Sequence, residues 1–172
     1  KSNKSGDKLS YPFWDMKDGE SATIRFLPDK NPDNTFFWVE RQMIKLPFKG
    51  IKGHDENKEI VLQVPCVEMW QGEKCPVMTE VTPWFDDKDL EDLAHKYWKK
   101  RTYMFQGIVR KDPLNEKEKP ESVVRKFIIG PQIYKVIKAG LMSTDMDSEV
   151  TDYLNGLDFF LNKEKDGKYS SY

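Results

Sequence analysis

The segment KYWKKRTYMFQGIVRK, residues 96–111, combines a predicted strand with an unusual mixture of side chains. It holds six basic residues, four aromatic residues and no acidic residue. Residues 101–110 are predicted to form a β-strand. An unpaired nucleic-acid strand needs this mixture, because cations follow its phosphates and flat rings stack on its bases. The pattern also fits a solvated basic helix end followed by an ordinary amphipathic strand, so both interpretations stay open at this point.

The sequence after this segment predicts a hairpin. Residues 112–122 form a polar, charged loop, and residues 123–129 are the predicted partner strand. A second basic segment, residues 125–138, has four cations and no acid. If the two strands pair, we expect their cations to share one face. Because the acidic residues are concentrated in 86–92 and 145–152, a positive groove is compatible with the net charge of −1.

The remaining chain is predicted to be mainly β, with two helices. The other predicted strands are 21–28, 36–46, 59–64 and 154–161. The predicted helices are 83–99 and 132–139, the second ending at Gly140 as its C-cap. Residues 66–84 are predicted to be irregular. Short strands with few helices favour a small barrel or a partly open sheet.

Composition limits the classes of function. The 172 residues are 38% hydrophobic and 33% charged, which favours one very polar domain with room for a small inserted lobe. No apolar run approaches the ~20 residues that span a bilayer, and residues 1–4 lack the apolar stretch of a signal peptide, so we expect a soluble protein without a membrane partner. Walker, GxGxxG and GxSxG motifs are absent, so we expect no enzyme. The chain starts at Lys1 rather than Met, and we expect it to be the core of something longer.

Five segments follow one another along the chain: 22–28 (ATIRFLP), Cys66 with 75–77 (CPV), 99–113, 127–134 and 167–172. In this order they resemble the single-stranded DNA-binding (helix-destabilising) proteins of T-even-type bacteriophages. The resemblance implies an OB-fold-like barrel core, of about residues 10–48 and 99–172, with an inserted small lobe of about residues 49–98 and a cleft between them.

The resemblance also implies a set of DNA contacts. The aromatic positions that it assigns to base stacking are Tyr103, Phe127, Tyr134, Tyr169 and Tyr172. Tyr97, Trp70 and Trp84 lie near other such positions, although their spacing differs. The phosphate contacts predicted from the resemblance and from the two basic segments are Lys99, Lys100, Arg101, Arg110, Lys111, Arg125 and Lys126.

Two departures from the family concern its metal site. Met78 stands where the family has the last cysteine of Cys-Pro-Val-Cys, and no histidine stands near residues 45–46, where the family's ligand falls. Because structural zinc needs four ligands, usually Cys or His, we expect two reduced thiols and no cofactor. The remaining zinc candidates are Cys66, Cys75 and His54.

The function that the resemblance implies is sequence-nonspecific binding of single-stranded DNA in phage DNA replication, recombination and repair, in the cytoplasm of the infected bacterial host. The family's basic N-terminal arm supports self-association along DNA, and its acidic C-terminal tail recruits replication and recombination proteins. These 172 residues hold neither, so we expect both properties to need the full-length protein. Two alternatives stay open: a protein-interaction domain whose Trp and Tyr residues mark an interface, and an RNA-binding OB-type module.

Overall fold

The structure is a computed structural model that describes residues 7–70, 73–116, 118–142, 150–166 and 169–172, without the side chains of 166, 169 and 170. The described residues form an open antiparallel sheet of six strands, a two-stranded ribbon and three short α-helices. The predicted fold class, mainly β with a few short helices and an OB-like core, is confirmed. No helix among the described residues has the length and apolar character needed to cross a membrane.

The strands of the sheet have the order β3-β2-β4-β1-β6, and β5 pairs with β4. The strands are β1 Ser21–Phe26, β2 Trp38–Phe48, β3 Ile60–Pro65, β4 Lys100–Lys111, β5 Val124–Ile129, β6 Asp158–Asn162, β7 Glu164–Asp166 and β8 Tyr169–Ser171. The α-helices are α1 Pro76–Val81, α2 Glu91–Tyr97 and α3 Pro131–Leu141. Short 3-10 helices lie at Phe13–Asp15, Val67–Met69 and Thr82–Asp86.

The predicted hairpin is confirmed, since β4 and β5 pair antiparallel with Phe105 opposite Phe127. Burial alternates along β5, where Arg125, Phe127 and Ile129 are buried and the residues between them are partly exposed. Successive side chains of a strand point to opposite faces. The expectation that the cations of both segments share one face is therefore wrong for β5, because Arg125 and Lys126 point to opposite sides.

The chain divides into two compact units, Lys1–Val39 with Tyr103–Tyr172, and Glu40–Thr102. The predicted inserted lobe, residues 49–98, falls inside the second unit. The core of the first unit is strongly aromatic, with Phe26 packed 4.7 Å from Phe105 and 5.7 Å from Phe127 between ring centroids. The core of the second unit gathers four buried side chains. They are Ile44, Cys66, Cys75 and Met78.

The predicted helix over 83–99 is interrupted in the structure. A 3-10 turn ends at Asp86, Asp87 is extended with φ −109° and ψ 116°, and α2 begins at Glu91. The Asp87 carboxylate accepts the backbone N–H of Asp89 at 2.9 Å. Aspartates that bond nearby backbone groups in this way favour turns over helix.

Two other predicted ends are also wrong. α3 continues through Gly140 to Leu141, and Met142 is its C-cap. Gly140 does not adopt the positive φ of a C-cap glycine. β6 begins at Asp158, later than the predicted start at 154. The preceding residues form a turn in which Asp152 accepts the backbone N–H of Leu154 at 2.9 Å.

Candidate nucleic-acid interface

Four aromatic side chains of the first unit form a continuous series, here called the aromatic ladder. Tyr103 on β4 stacks on Tyr134 of α3, with ring centroids 3.5 Å apart and planes 9° apart. Trp38, the first residue of β2, packs edge-on against Tyr134 at 5.5 Å. Phe36 stacks on Trp38 at 4.8 Å, with planes 29° apart. Two strands, one helix and the loop before β2 therefore position a single row of rings.

Exposure rises along the aromatic ladder. Tyr103 is 5% exposed, Tyr134 and Trp38 are partly buried, and Phe36 is 57% exposed. A large apolar ring that remains exposed at the end of a stacked row offers a face to another flat group. Because every nucleobase has such a face, this end of the ladder can stack an unpaired base.

Phe36 and Trp38 were not among the residues that the sequence pattern singled out. They lie in TFFW, residues 35–38, after a turn-rich loop and away from the basic segments. A pattern of cations interleaved with rings does not include them for that reason. The available signal was three consecutive aromatic residues in a chain with a net charge of −1.

The structure places some of the predicted stacking residues outside the ladder. Phe127 is fully buried in the core of the first unit, so it has no ring face for a base in this conformation. Tyr172 packs edge-on against Phe13 at 5.4 Å and is 38% exposed. Tyr169 lies in β8, but its side chain is outside the described residues.

The other three predicted stacking residues belong to the second unit. Trp70 is 53% exposed. Trp84 and Tyr97 contact each other edge-on at 6.2 Å, and the Lys96 ammonium lies 5.4 Å from the centroid of the Tyr97 ring. The two rings line an apolar hollow of about 590 Å³. Their role in base stacking stays a prediction.

Arg125 is placed where it cannot meet a phosphate. Its side chain is 7% exposed and forms a bidentate pair with Glu116, at 2.9 and 3.0 Å. It also donates to the backbone carbonyls of Leu9 and Ser10, at 3.3 and 3.2 Å, and its guanidinium lies 5.4 Å from the centroid of the Tyr11 ring. The predicted phosphate contact is a structural ion pair instead.

Lys99 is also drawn into the structure, because its ammonium donates to the Glu68 carboxylate and both side chains are mostly buried. The other predicted phosphate contacts are at the surface. Three of them pair with carboxylates: Arg101 with Glu40 at 3.0 Å, Arg110 with Asp158 at 3.6 Å and Lys126 with Asp7 at 2.9 Å. Lys100 donates to the His95 carbonyl at 3.1 Å. Lys111 is exposed at the end of β4. Exposed pairs contribute about 0–1 kcal/mol, so a phosphate can displace these carboxylates.

The two cysteines are free thiols packed in the core of the second unit with Ile44 and Met78. Burial raises the pKa of the Cys66 thiol, and the neighbouring Cys75 thiol raises it further. His54, the third zinc candidate, is exposed in a turn. Within the part of the chain that the structure describes, no group of three His, Cys, Asp or Glu side chains could hold a metal ion. Two thiols and a thioether do not fit the four-ligand pattern of structural zinc.

Comparison with known proteins places the chain in a family. A family model described as gp32 DNA binding protein like matches residues 17–172, which include most of both units. A search of curated proteins finds no match. The chain therefore belongs to the gp32-like family of DNA-binding proteins.

Proposed function

We propose that this chain binds single-stranded DNA without strong sequence preference and acts by binding rather than by catalysis. The observation that carries the proposal is the aromatic ladder, whose exposed end at Phe36 leaves a ring available to stack on an unpaired base. A base that is already paired and stacked in a duplex cannot offer its face in this way. The family match supports a DNA ligand.

The cations that supply the phosphate contacts in this proposal are those at the surface. They are Lys100, Arg101, Arg110, Lys111 and Lys126. Each one that neutralises a phosphate releases a counterion, so affinity falls as salt rises, with a slope of about −0.7 per contact on a single strand. Binding to the single strand alone also shifts the duplex equilibrium toward separated strands by mass action. This is the physical basis for a helix-destabilising role in phage DNA replication, recombination and repair, in the cytoplasm of an infected bacterium.

The test is a tryptophan-fluorescence titration with oligo(dT) at low and high salt, with duplex DNA and a matched RNA oligomer as controls. We expect saturable quenching by the single strand, steep weakening with salt and much poorer binding of duplex. Absence of any quenching by a folded protein would move the assignment to a protein-interaction domain. Tighter binding of RNA than of DNA would move it to an RNA-binding module.

Phe36→Ala tests the aromatic ladder directly. Because Phe36 is exposed, its removal leaves no cavity, and we expect the loss of one stacked base, about 1–3 kcal/mol of binding free energy. Phe160→Ala is the matched control, since Phe160 is 73% exposed on β6 of the same unit and outside the ladder. Equal effects of the two substitutions would remove Phe36 from the site.

The proposal includes a second unit that is held without zinc. The support is the packing of Met78 and the two thiols among apolar neighbours, including Val64, Val67 and Val77. We expect a strong chelator to leave the unfolding temperature unchanged, and elemental analysis of protein purified without chelator to find no bound zinc. A chelator-induced fall in the unfolding temperature would refute this part of the proposal. Self-association along DNA, and recruitment of replication and recombination proteins, are proposed for the full-length protein.

A further inference from the structure

A small cavity lies beside the exposed end of the aromatic ladder, and all of its lining belongs to the first unit. Its volume is about 130 Å³. Trp38, Phe37 and Phe105 supply apolar walls, and Asp29, Gln106 and Lys126 supply polar groups. A cavity with flat apolar walls and a few convergent polar groups is the usual form of a small-ligand site.

The loop before β2 is fixed by one amide side chain. The Asn34 side-chain nitrogen donates to Asp29 Oδ2 at 2.6 Å and to the Trp38 carbonyl at 3.2 Å. The Asn34 side-chain oxygen accepts the backbone N–H of Phe36 at 3.1 Å. Asn34 therefore ties the Asp29 carboxylate to the backbone of Phe36 and Trp38, which reduces the ordering that binding would otherwise require.

The polar groups of the cavity are mainly hydrogen-bond acceptors. The hydrogen bond from the Asn34 side chain, with the backbone N–H of Asn31, holds the pKa of Asp29 below its usual value, so this carboxylate is charged at neutral pH. The Gln106 amide nitrogen donates to the Pro28 carbonyl, so its oxygen is the atom left to accept. The Lys126 ammonium is paired with Asp7 at 2.9 Å.

A carboxylate at this place repels phosphate and attracts N–H donors. The bases differ in what they offer, since cytosine carries an exocyclic amino group at the position where thymine has a carbonyl oxygen and a neighbouring methyl group. Aspartate accepting from the cytosine amino group is an established mode of base recognition.

We propose that this cavity holds one unpaired base and favours bases with an exocyclic amino group, cytosine above thymine, with Asp29 as the residue that determines the preference. The inference rests on the proposed single-stranded DNA binding. It adds one position of modest discrimination to a site that is otherwise tolerant of sequence.

The experiment compares oligo(dC) with oligo(dT) of the same length, at one salt concentration and about pH 8, where cytosine is unprotonated. We expect the native chain to bind oligo(dC) about tenfold more tightly, the value of one good base contact. In Asp29→Asn, the side-chain oxygen can keep the hydrogen bond from Asn34, and an amino donor replaces Oδ1, which accepts the Asn31 backbone N–H at 3.0 Å in the native chain. We therefore expect the preference for cytosine to be lost or reversed.

The matched control is Asp33→Asn, which makes the same change of charge in the same loop at an exposed residue that does not line the cavity. It should raise the affinity for both oligomers equally and keep the preference. Equal binding of the two oligomers by the native chain, or a cytosine preference that survives Asp29→Asn, would overturn the inference and leave the proposed function in place. Failure of the native chain to bind either oligomer would overturn the proposed function itself.

Discussion

Arg125→Ala separates a structural role from a DNA-binding role within one strand. The substitution removes the bidentate pair with Glu116 and the hydrogen bonds to the Leu9 and Ser10 carbonyls. It leaves the Glu116 carboxylate, which is 14% exposed, without its partner. Breaking a buried ion pair in this way costs about 3–5 kcal/mol of the free energy of unfolding. For a chain of this length each kcal/mol lowers the unfolding temperature by about 2–4 °C, so we expect a fall of about 6–20 °C.

Lys126→Ala is the control, because Lys126 is the next residue of β5 and points to the opposite face. Its ammonium pairs with Asp7, and both side chains are about half exposed, so removing it should cost about 0–1 kcal/mol of stability. The effects of the two substitutions on DNA binding should be the reverse of their effects on stability. Lys126→Ala should make the salt dependence of the dissociation constant shallower by about 0.7 per lost phosphate contact, and Arg125→Ala should leave that slope unchanged.

Two measurements separate the structural role from the DNA-binding role: thermal unfolding followed by circular dichroism, and oligo(dT) affinity over a series of salt concentrations. If Arg125→Ala does not fold, Glu116→Gln can be used instead, because it weakens the same ion pair without removing the arginine. Glu116→Gln should also lower the unfolding temperature. An Arg125→Ala chain that unfolds at the native temperature and shows a shallower salt slope would refute the reasoning. That result would return Arg125 to the phosphate contacts.

Three further predictions concern packing, thiol chemistry and charge. Gly107→Ala should destabilise the chain by about 1–3 kcal/mol, because a Cβ there would lie 2.5 Å from the Arg25 carbonyl oxygen. Gly130→Ala, where a Cβ meets nothing within 4 Å, is the control in the same unfolding experiment. Equal stabilities of the two variants would show that β1 shifts to make room for the Cβ. Cys66 should react far more slowly with a thiol reagent at about pH 8 in the folded chain than in denaturant. The reason is that burial raises the pKa of its thiol, and little thiolate forms below a raised pKa. Equal reaction rates would contradict the placement of Cys66 in the core. Lys111→Ala should reduce the salt slope of oligo(dT) binding by about 0.7 without changing the unfolding temperature, and a fall in stability at constant slope would make Lys111 a structural residue.

Much of the fold follows from local pattern. The hairpin of β4 and β5 was predictable because two apolar segments flank one polar loop, and strand pairing between neighbours in sequence is the commonest arrangement. The helix over 83–99 was predicted too long because helix propensity does not register the turn in which the Asp87 carboxylate accepts the backbone N–H of Asp89. The family segments, being collinear, identified the class of protein without any contact between distant residues.

The sequence by itself determined the mainly β class, the basic and aromatic composition of β4, and the family. The tertiary structure decided which of those side chains reach the surface: Arg125 and Phe127 are buried, whereas Phe36 and Trp38 form the exposed end of the aromatic ladder. The reason is that a run of cations and rings records the types of side chain but not the face on which each one points. Contacts between residues far apart in the chain fix those faces, such as the hydrogen bonds of Arg125 to the backbone before β1 and the packing of Trp38 against α3.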